Sequence, residues 1–358
     1  MIYYYLFVIS IFVAGMVLLT NLHQKRKIYI ILFFIISFLF MGLRSKYIGT
    51  DTLWYCNYFD IIKTEKLSVA LSNGSKGMYL YIIYNKIISY ISLDSQILII
   101  SNAFIISLLA STAIFYIGKK HIFLSSILYI FMYYYFTSFN TSRQYIALLI
   151  VTNALYFLLY KKKYLLFLFL VIIASMFHIT AIISFVFFPL SFFDFSKMKT
   201  FIIMSLIFII FLLFSNQLIV LFGKIFPDYQ GYVDSISDFS NIGRTMILIL
   251  VNLVIFLCIF LSYRTFENNN LSKNDSFFLF LFLISILLGF ISYNNDLLNR
   301  INTYFAIYSI FVIPYLVDIF TLKKDKLVIS LGILVVFFIE FNVLLLGNYS
   351  GITPYSFY

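Results

Sequence analysis

Apolar runs long enough to cross a bilayer recur from one end of this 358-residue chain to the other. A crossing needs about 20 consecutive apolar residues. Such runs fall at about 2–22, 28–42, 97–117, 122–139, 145–160, 164–178, 179–195, 200–222, 244–263, 276–292, 301–320 and 327–346. Backbone groups in lipid must pair within their own segment, so these segments are helices. Two stretches depart from a plain span. Residues 78–92 are short and bring Asn85, Lys86, Ser89 and Ser92 together at helical spacing, the pattern of an interfacial amphipathic helix. Residues 164–195 hold two short segments that turn near His178, either as two spans or as a hairpin that does not fully cross. The expected fold is all-α: one polytopic helical bundle over residues 1–358, with about 12 membrane segments and one interfacial helix. Its longer outer connections are 43–77 and 223–243.

Composition closes off other classes. Charged residues make up 11% of the chain, against roughly 25% in a soluble domain. A soluble enzyme on a membrane anchor, a DNA-binding protein and a disulfide-stapled secreted domain are all excluded. Cys56 lies in a polar loop and Cys258 inside an apolar run, so no disulfide between them is expected. Neither has metal-ligand spacing, and no metal site is expected.

The net charge of +11 reads as topology rather than as a nucleic-acid footprint. Lys and Arg collect in cytoplasmic loops. Residues 2–20 lack a basic leader and an A-x-A-like cleavage site and are followed by Lys25, Arg26 and Lys27, so a retained first span with its N-terminus outside is expected. The inner loops then receive clustered lysines, including Lys119–Lys120 and Lys161–Lys163. The outer side receives four isolated arginines at or near span mouths: Arg44, Arg143, Arg244 and Arg300.

Four short clusters hold residues suited to chemistry. Arg44…Gly49-Thr50-Asp51…Trp54-Tyr55 places a carboxylate at a loop-to-helix junction beside two aromatic rings. Asp51 there serves as a helix N-cap, as a reacting group, or as both. Asn140-Thr141-Ser142-Arg143-Gln144 enters a span from outside, where a helix N-terminus plus Arg makes a phosphate site. His178, with Thr180 two residues on, sits in an apolar stretch, where an imidazole is either a packing residue or a base or donor. Asn299-Arg300…Tyr304 delivers another Arg to an outer span end with Tyr304 one turn further on the same face. Several arginines, one carboxylate and one imidazole at the outer leaflet suit a lipid-linked pyrophosphate and an acceptor sugar hydroxyl.

At these residues the chain resembles the EpsG family, the Wzy-like polymerases of bacterial capsule, exopolysaccharide and O-antigen synthesis. The matching signatures are Arg44…Gly49-Thr50-Asp51…Tyr55, Arg143-Gln144-x-x-Ala147, His178-x-Thr180-Ala181 and Arg300-x-x-x-Tyr304, with Thr353-Pro354-Tyr355 near the end. Two departures stand out. The family often has an acidic residue where Lys76 precedes Gly77, and Thr180 replaces a more usual Ser while keeping the hydroxyl.

The resemblance implies a GT-C-like polymerase of the bacterial cytoplasmic membrane with its site facing the exterior. It implies inverting, metal-independent and cofactor-free transfer of a glycan between undecaprenyl-pyrophosphate-linked oligosaccharides, which serve as donor and acceptor. A flippase and a chain-length regulator would be its pathway neighbours. Arg143 and Arg300 are the expected pyrophosphate clamps, supported by Arg44, Arg244, Gln144 and Tyr304. Asp51 is the first candidate base and His178 the second. The rival readings are a lipid-linked oligosaccharide flippase, an O-antigen ligase and a glycosyltransferase that uses a polyprenyl-phosphate sugar.

Overall fold

The computed structural model describes residues 2–19, 24–74, 78–214, 217, 224, 242–265, 272–292 and 295–358. Their regular structure is helical, and an isolated antiparallel bridge joins Arg44 to Phe357. Among the described residues five helices are long and apolar enough to cross a membrane: Gln96–Ile117, Ser142–Lys161, Lys273–Ser292, Asp296–Asp318 and Lys323–Leu346. A sixth arises if Ile122–Phe131 and Tyr134–Asn140, bent by 48°, form one broken span. The chain is a membrane protein. Other apolar runs are shorter than a full crossing, among them Tyr164–Phe177 and Met198–Leu213.

The broken span has a local cause. Tyr133 takes a left-handed backbone, φ 66°, which a non-glycine residue adopts only where surroundings hold it. Its hydroxyl donates to the Tyr349 carbonyl at 3.0 Å. The segment beyond the break then runs at a new angle and ends at Asn140, close to the motif loops.

Contacts divide the chain into two units. The first comprises Met1–Tyr156, Leu165–Ile179 and Ser330–Tyr358. In it the Lys25–Gly42 helix packs along Gln96–Ile117. The approach is close because a Cβ on Gly42 would already lie 3.5 Å from that of Ala103. Phe131, Phe136 and Phe341 form an aromatic core beside Tyr133. The C-terminal residues fold back onto this unit: Tyr3 donates to the Ile352 carbonyl at 2.5 Å and Tyr355 to that of Phe40 at 3.0 Å.

The second unit comprises Phe157–Tyr164 and Thr180–Ile329. The Lys273–Ser292 helix is its centre, packed against Asp296–Ala306 and Ile242–Thr265. Phe195 stacks on Phe280 with ring centres 4.1 Å apart, and Tyr315 donates to Asp275 at 2.9 Å. Asn295 caps the Asp296–Ala306 helix by accepting from the Leu298 N–H at 2.9 Å.

Residues 78–92 hold a helix too short to span a membrane. A helix forms at Tyr79–Ser89, but its polar stripe faces protein rather than water. Asn85 is fully buried and Ser89 nearly so, whereas Ile87, Tyr90 and Ile91 are exposed. Lys86 donates to the carbonyls of Ile62, Lys63 and Glu65 at 3.2, 3.1 and 2.6 Å. Lys86 thereby satisfies carbonyls at the end of the neighbouring Thr52–Thr64 helix, which need donors of this kind. In the 164–195 stretch, helix Tyr164–Phe177 ends at His178 and a 3₁₀ run follows at Ile179–Val186. The 223–243 connection lies almost wholly outside the described residues, as do Lys76 and Gly77.

Candidate functional site

The loop after Gly42 is built around one buried cation. Arg44 is 2% exposed. It donates from Nη1 to the Met41 carbonyl at 2.6 Å and from Nη2 to the Phe139 carbonyl at 3.1 Å. Its guanidinium carbon also lies 4.5 Å from the centre of the Phe139 ring. Burial pushes Arg44 down to about 10, which leaves it charged at neutral pH. Arg44 thus ties its own helix end to the end of the broken span. Gln96 completes that junction by donating from Nε2 to the carbonyls of Gly42 and Arg44, each at 3.0 Å.

Gly49 turns the chain with φ +100°, and a Cβ there would meet Asn140 Oδ1 at 2.4 Å and Thr52 Oγ1 at 2.7 Å. Both the backbone angle and the space require glycine. Thr52 donates from Oγ1 to the Ile48 carbonyl at 2.7 Å and to Phe139 at 3.2 Å. The chain's last residues strap this loop from outside. Gly49 N–H donates to Gly351 at 2.9 Å, Ser45 N–H to Ser356 at 2.9 Å, and Tyr358 N–H to Leu43 at 3.0 Å. Asn140 joins the strap by donating from Nδ2 to the Ser350 carbonyl at 2.7 Å. The Thr353-Pro354-Tyr355 motif therefore belongs to the same local assembly as Gly49-Thr50-Asp51.

Asp51 precedes the Thr52–Thr64 helix at the N-cap position, yet its side chain caps nothing. Its carboxylate accepts from the Thr50 hydroxyl at 3.1 Å and is half-buried. On the following helix Trp54 stacks on Tyr58 with ring centres 5.2 Å apart and planes 6° from parallel.

Arg143 opens the Ser142–Lys161 helix. Its guanidinium carbon lies 5.7 Å from the ring centre of Tyr81, which is itself fully buried. Nε and Nη1 of Arg143 are buried without any hydrogen-bond partner, and so are the Tyr81 hydroxyl and Asn85 Oδ1. Buried polar groups are paired in the great majority of cases, and an unpaired buried cation is costly. Unpaired cationic donors beside an aromatic ring are what an anionic ligand would satisfy. Neighbouring polar groups are ordered: Tyr84 donates to Asn102 at 2.8 Å, and Asn102 Nδ2 lies 3.3 Å from the Ser142 hydroxyl. Gln144 is buried one residue beyond.

His178 is 2% exposed. Its backbone N–H donates to the Ala174 carbonyl at 2.9 Å, closing the preceding helix. The first unit thus contains Arg44, Asp51, Arg143, Gln144 and His178.

The second unit holds the remaining motif residues. Thr180 and Tyr304 are both buried, with their hydroxyl oxygens 3.5 Å apart. Arg300 is half-buried on Asp296–Ala306, and Asn302 on the same helix has a buried Oδ1 without a partner. Arg244 falls in the first turn of Ile242–Thr265, and its side chain lies outside the described residues. Among the described residues no group of three or more His, Cys, Asp or Glu side chains comes together. Cys56 and Cys258 are both free thiols.

Sequence reasoning missed Tyr81 and Asn102, and it named Asn140 without its bond to Ser350. Asn85 was visible only as part of a polar stripe assigned to the membrane surface. Its signal was Tyr81, one turn earlier on the same helix face.

The EpsG family matches residues 27–357, nearly the whole chain. The chain is a member of that family. EpsG is a Wzy-like polymerase family, so this is a polymerase-like membrane protein of exopolysaccharide biosynthesis. No curated protein and no solved structure matches the chain. In this EpsG-family member, Arg143 has two buried donor nitrogens without a partner, and Arg44 has one, its Nε.

Proposed function

We propose that this EpsG-family protein joins repeat units carried on undecaprenyl pyrophosphate at the outer face of the bacterial cytoplasmic membrane. The observation that carries the proposal is the half-buried Arg143, whose buried Nε and Nη1 are unpaired beside the Tyr81 ring. A pyrophosphate supplies the acceptors those donors lack, and charge-assisted bonds to Arg are among the strongest available.

The reaction is a single displacement. An acceptor sugar hydroxyl attacks the anomeric carbon of the donor glycan, and the bond from that carbon to the pyrophosphate oxygen breaks. The anomeric centre inverts, and the lipid pyrophosphate leaves carrying the charge that Arg143 stabilises. The hydroxyl proton passes to a base. Asp51 is the better candidate, because its carboxylate is half-exposed and unused as a cap, whereas His178 is enclosed. No metal or cofactor takes part in this scheme. Arg44 positions the Asp51 loop: its Nη1 and Nη2 serve Met41 and Phe139, while its Nε has no partner. Gln144, Arg300 and Tyr304, which belong to the family signatures, bind substrate in this scheme, and Arg244 supports them as a span-end cation. The architecture we infer is GT-C-like, with about 12 membrane segments that include the shorter apolar helices. A flippase would deliver its substrate, and a chain-length regulator would act on its product.

Surface glycan from cells lacking this gene tests the proposal. Complementation with wild type should restore a ladder of chain lengths, and Arg143→Ala should leave single repeats. Loss of all surface glycan, with lipid-linked units trapped inside, would make the protein a flippase instead.

A further inference from the structure

The first unit has a second feature, at the opposite kind of span end from the arginine motifs. Lys25, Arg26, Lys27 and Lys119 line a cavity of about 460 Å³ together with Phe115 and Tyr116, and no acidic residue lines it. Arg26 donates to the Lys119 carbonyl, and its guanidinium carbon lies 6.0 Å from the centre of the Phe115 ring. Lys27, Phe115 and Tyr116 also line a second cavity of about 260 Å³, which continues along the Lys25–Gly42 and Gln96–Ile117 helices. Its walls are Ile30, Ile31, Phe34 and Leu108. Ser111 lines it as well, 4% exposed and with a hydroxyl that has no hydrogen-bond partner.

The two helices explain this shape. They meet closely at the Gly42 and Ala103 end. At the Lys27 and Phe115 end no such small pair exists, and the groove opens between them. A basic mouth leading into an apolar slot is complementary to one chemical class: a negatively charged phosphodiester with an acyl chain attached.

We propose that this groove is a binding site for one anionic phospholipid. Its phosphate sits among Arg26, Lys27 and Lys119, and an acyl chain lies between the helices against Ile31, Phe34 and Leu108. By the positive-inside rule the lipid comes from the cytoplasmic leaflet, so the site is separate from the Arg143 site in both position and ligand.

Native mass spectrometry of the purified full chain in detergent tests this, with phosphatidylglycerol and phosphatidylcholine as probes. One phosphatidylglycerol per chain should be retained at concentrations where phosphatidylcholine is lost. Arg26→Gln with Lys27→Gln should lower its occupancy about tenfold, while the charge-matched pair Lys162→Gln with Lys163→Gln leaves it unchanged. Leu108→Trp, at a half-exposed position, fills the slot without touching the bases, and should lower occupancy as well. Excess inorganic phosphate should not displace the lipid. Equal retention of the two lipids, equal loss in the control pair, an unaffected Leu108→Trp, or displacement by phosphate would each overturn the site.

Discussion

The Arg143 guanidinium lies over the ring of Tyr81, 5.7 Å from its centre, and two of its donor nitrogens find no acceptor. A cation held against an aromatic face keeps its position without using its hydrogen bonds. That leaves the donors aimed and available, which suits a site that must bind and then release a charged leaving group.

Replacing either partner should separate these contributions. Arg143→Lys keeps the charge but loses the fork, and turnover should fall about 100-fold or more. Tyr81→Phe keeps the ring and should hold activity within about threefold of wild type, whereas Tyr81→Leu should weaken donor binding by roughly 1 kcal/mol. Polymer yield from purified protein and lipid-linked repeat units reads both.

Asp51 and His178 divide by the kind of loss they cause. Asp51→Asn should leave donor binding within about twofold while turnover falls about 100- to 10,000-fold. His178→Gln, at a buried position, should instead lower thermal stability and reduce turnover by less than tenfold. The reverse pattern would move the base to His178.

Gly49 tests the loop itself. Gly49→Ala puts a Cβ 2.4 Å from Asn140 Oδ1 at a left-handed backbone position. The substitution should cost about 1–3 kcal/mol, seen as a lower unfolding temperature in detergent together with loss of polymer. The same experiment on Gly332, whose Cβ would meet nothing within 4 Å, should show little change.

Acid should loosen the C-terminal strap. Asp94 accepts from the Gln96 N–H and the Tyr358 hydroxyl, and these bonds hold its carboxyl below the usual range. A carboxylate whose folded value is lowered stabilises the fold above its unfolded value of about 4 and loses that contribution as pH falls through the folded value. Tyr358→Phe should therefore lower the unfolding temperature at pH 6, and its effect should shrink as the pH falls below the usual carboxylate range.

Local signals in the sequence read well, and distant ones did not. Arg143 stands where hydrophobicity breaks, and a helix does begin at Ser142. Gly49 before Thr50-Asp51 marks a turn, and the turn needs glycine. Asp51 occupies the N-cap position that its spacing suggests, but its oxygen bonds Thr50 instead of the helix. What could not be read depends on contacts between remote residues. Nothing near Tyr3 announces its bond to Ile352, and nothing near Asn140 announces Ser350. Periodicity at Asn85 shows that a polar face exists, not which neighbour covers it. Likewise the run Ile179–Val186 is apolar apart from Thr180 and Ser184, and its 3₁₀ winding has no compositional mark.

Binding of a lipid-linked pyrophosphate to purified protein tests the central claim most directly, using wild type, Arg143→Ala and Arg143→Lys in the same detergent. Wild type should bind, Arg143→Ala should lose at least tenfold in affinity, and Arg143→Lys should fall between them. Equal affinity in all three would contradict a pyrophosphate held by the unpaired nitrogens of Arg143.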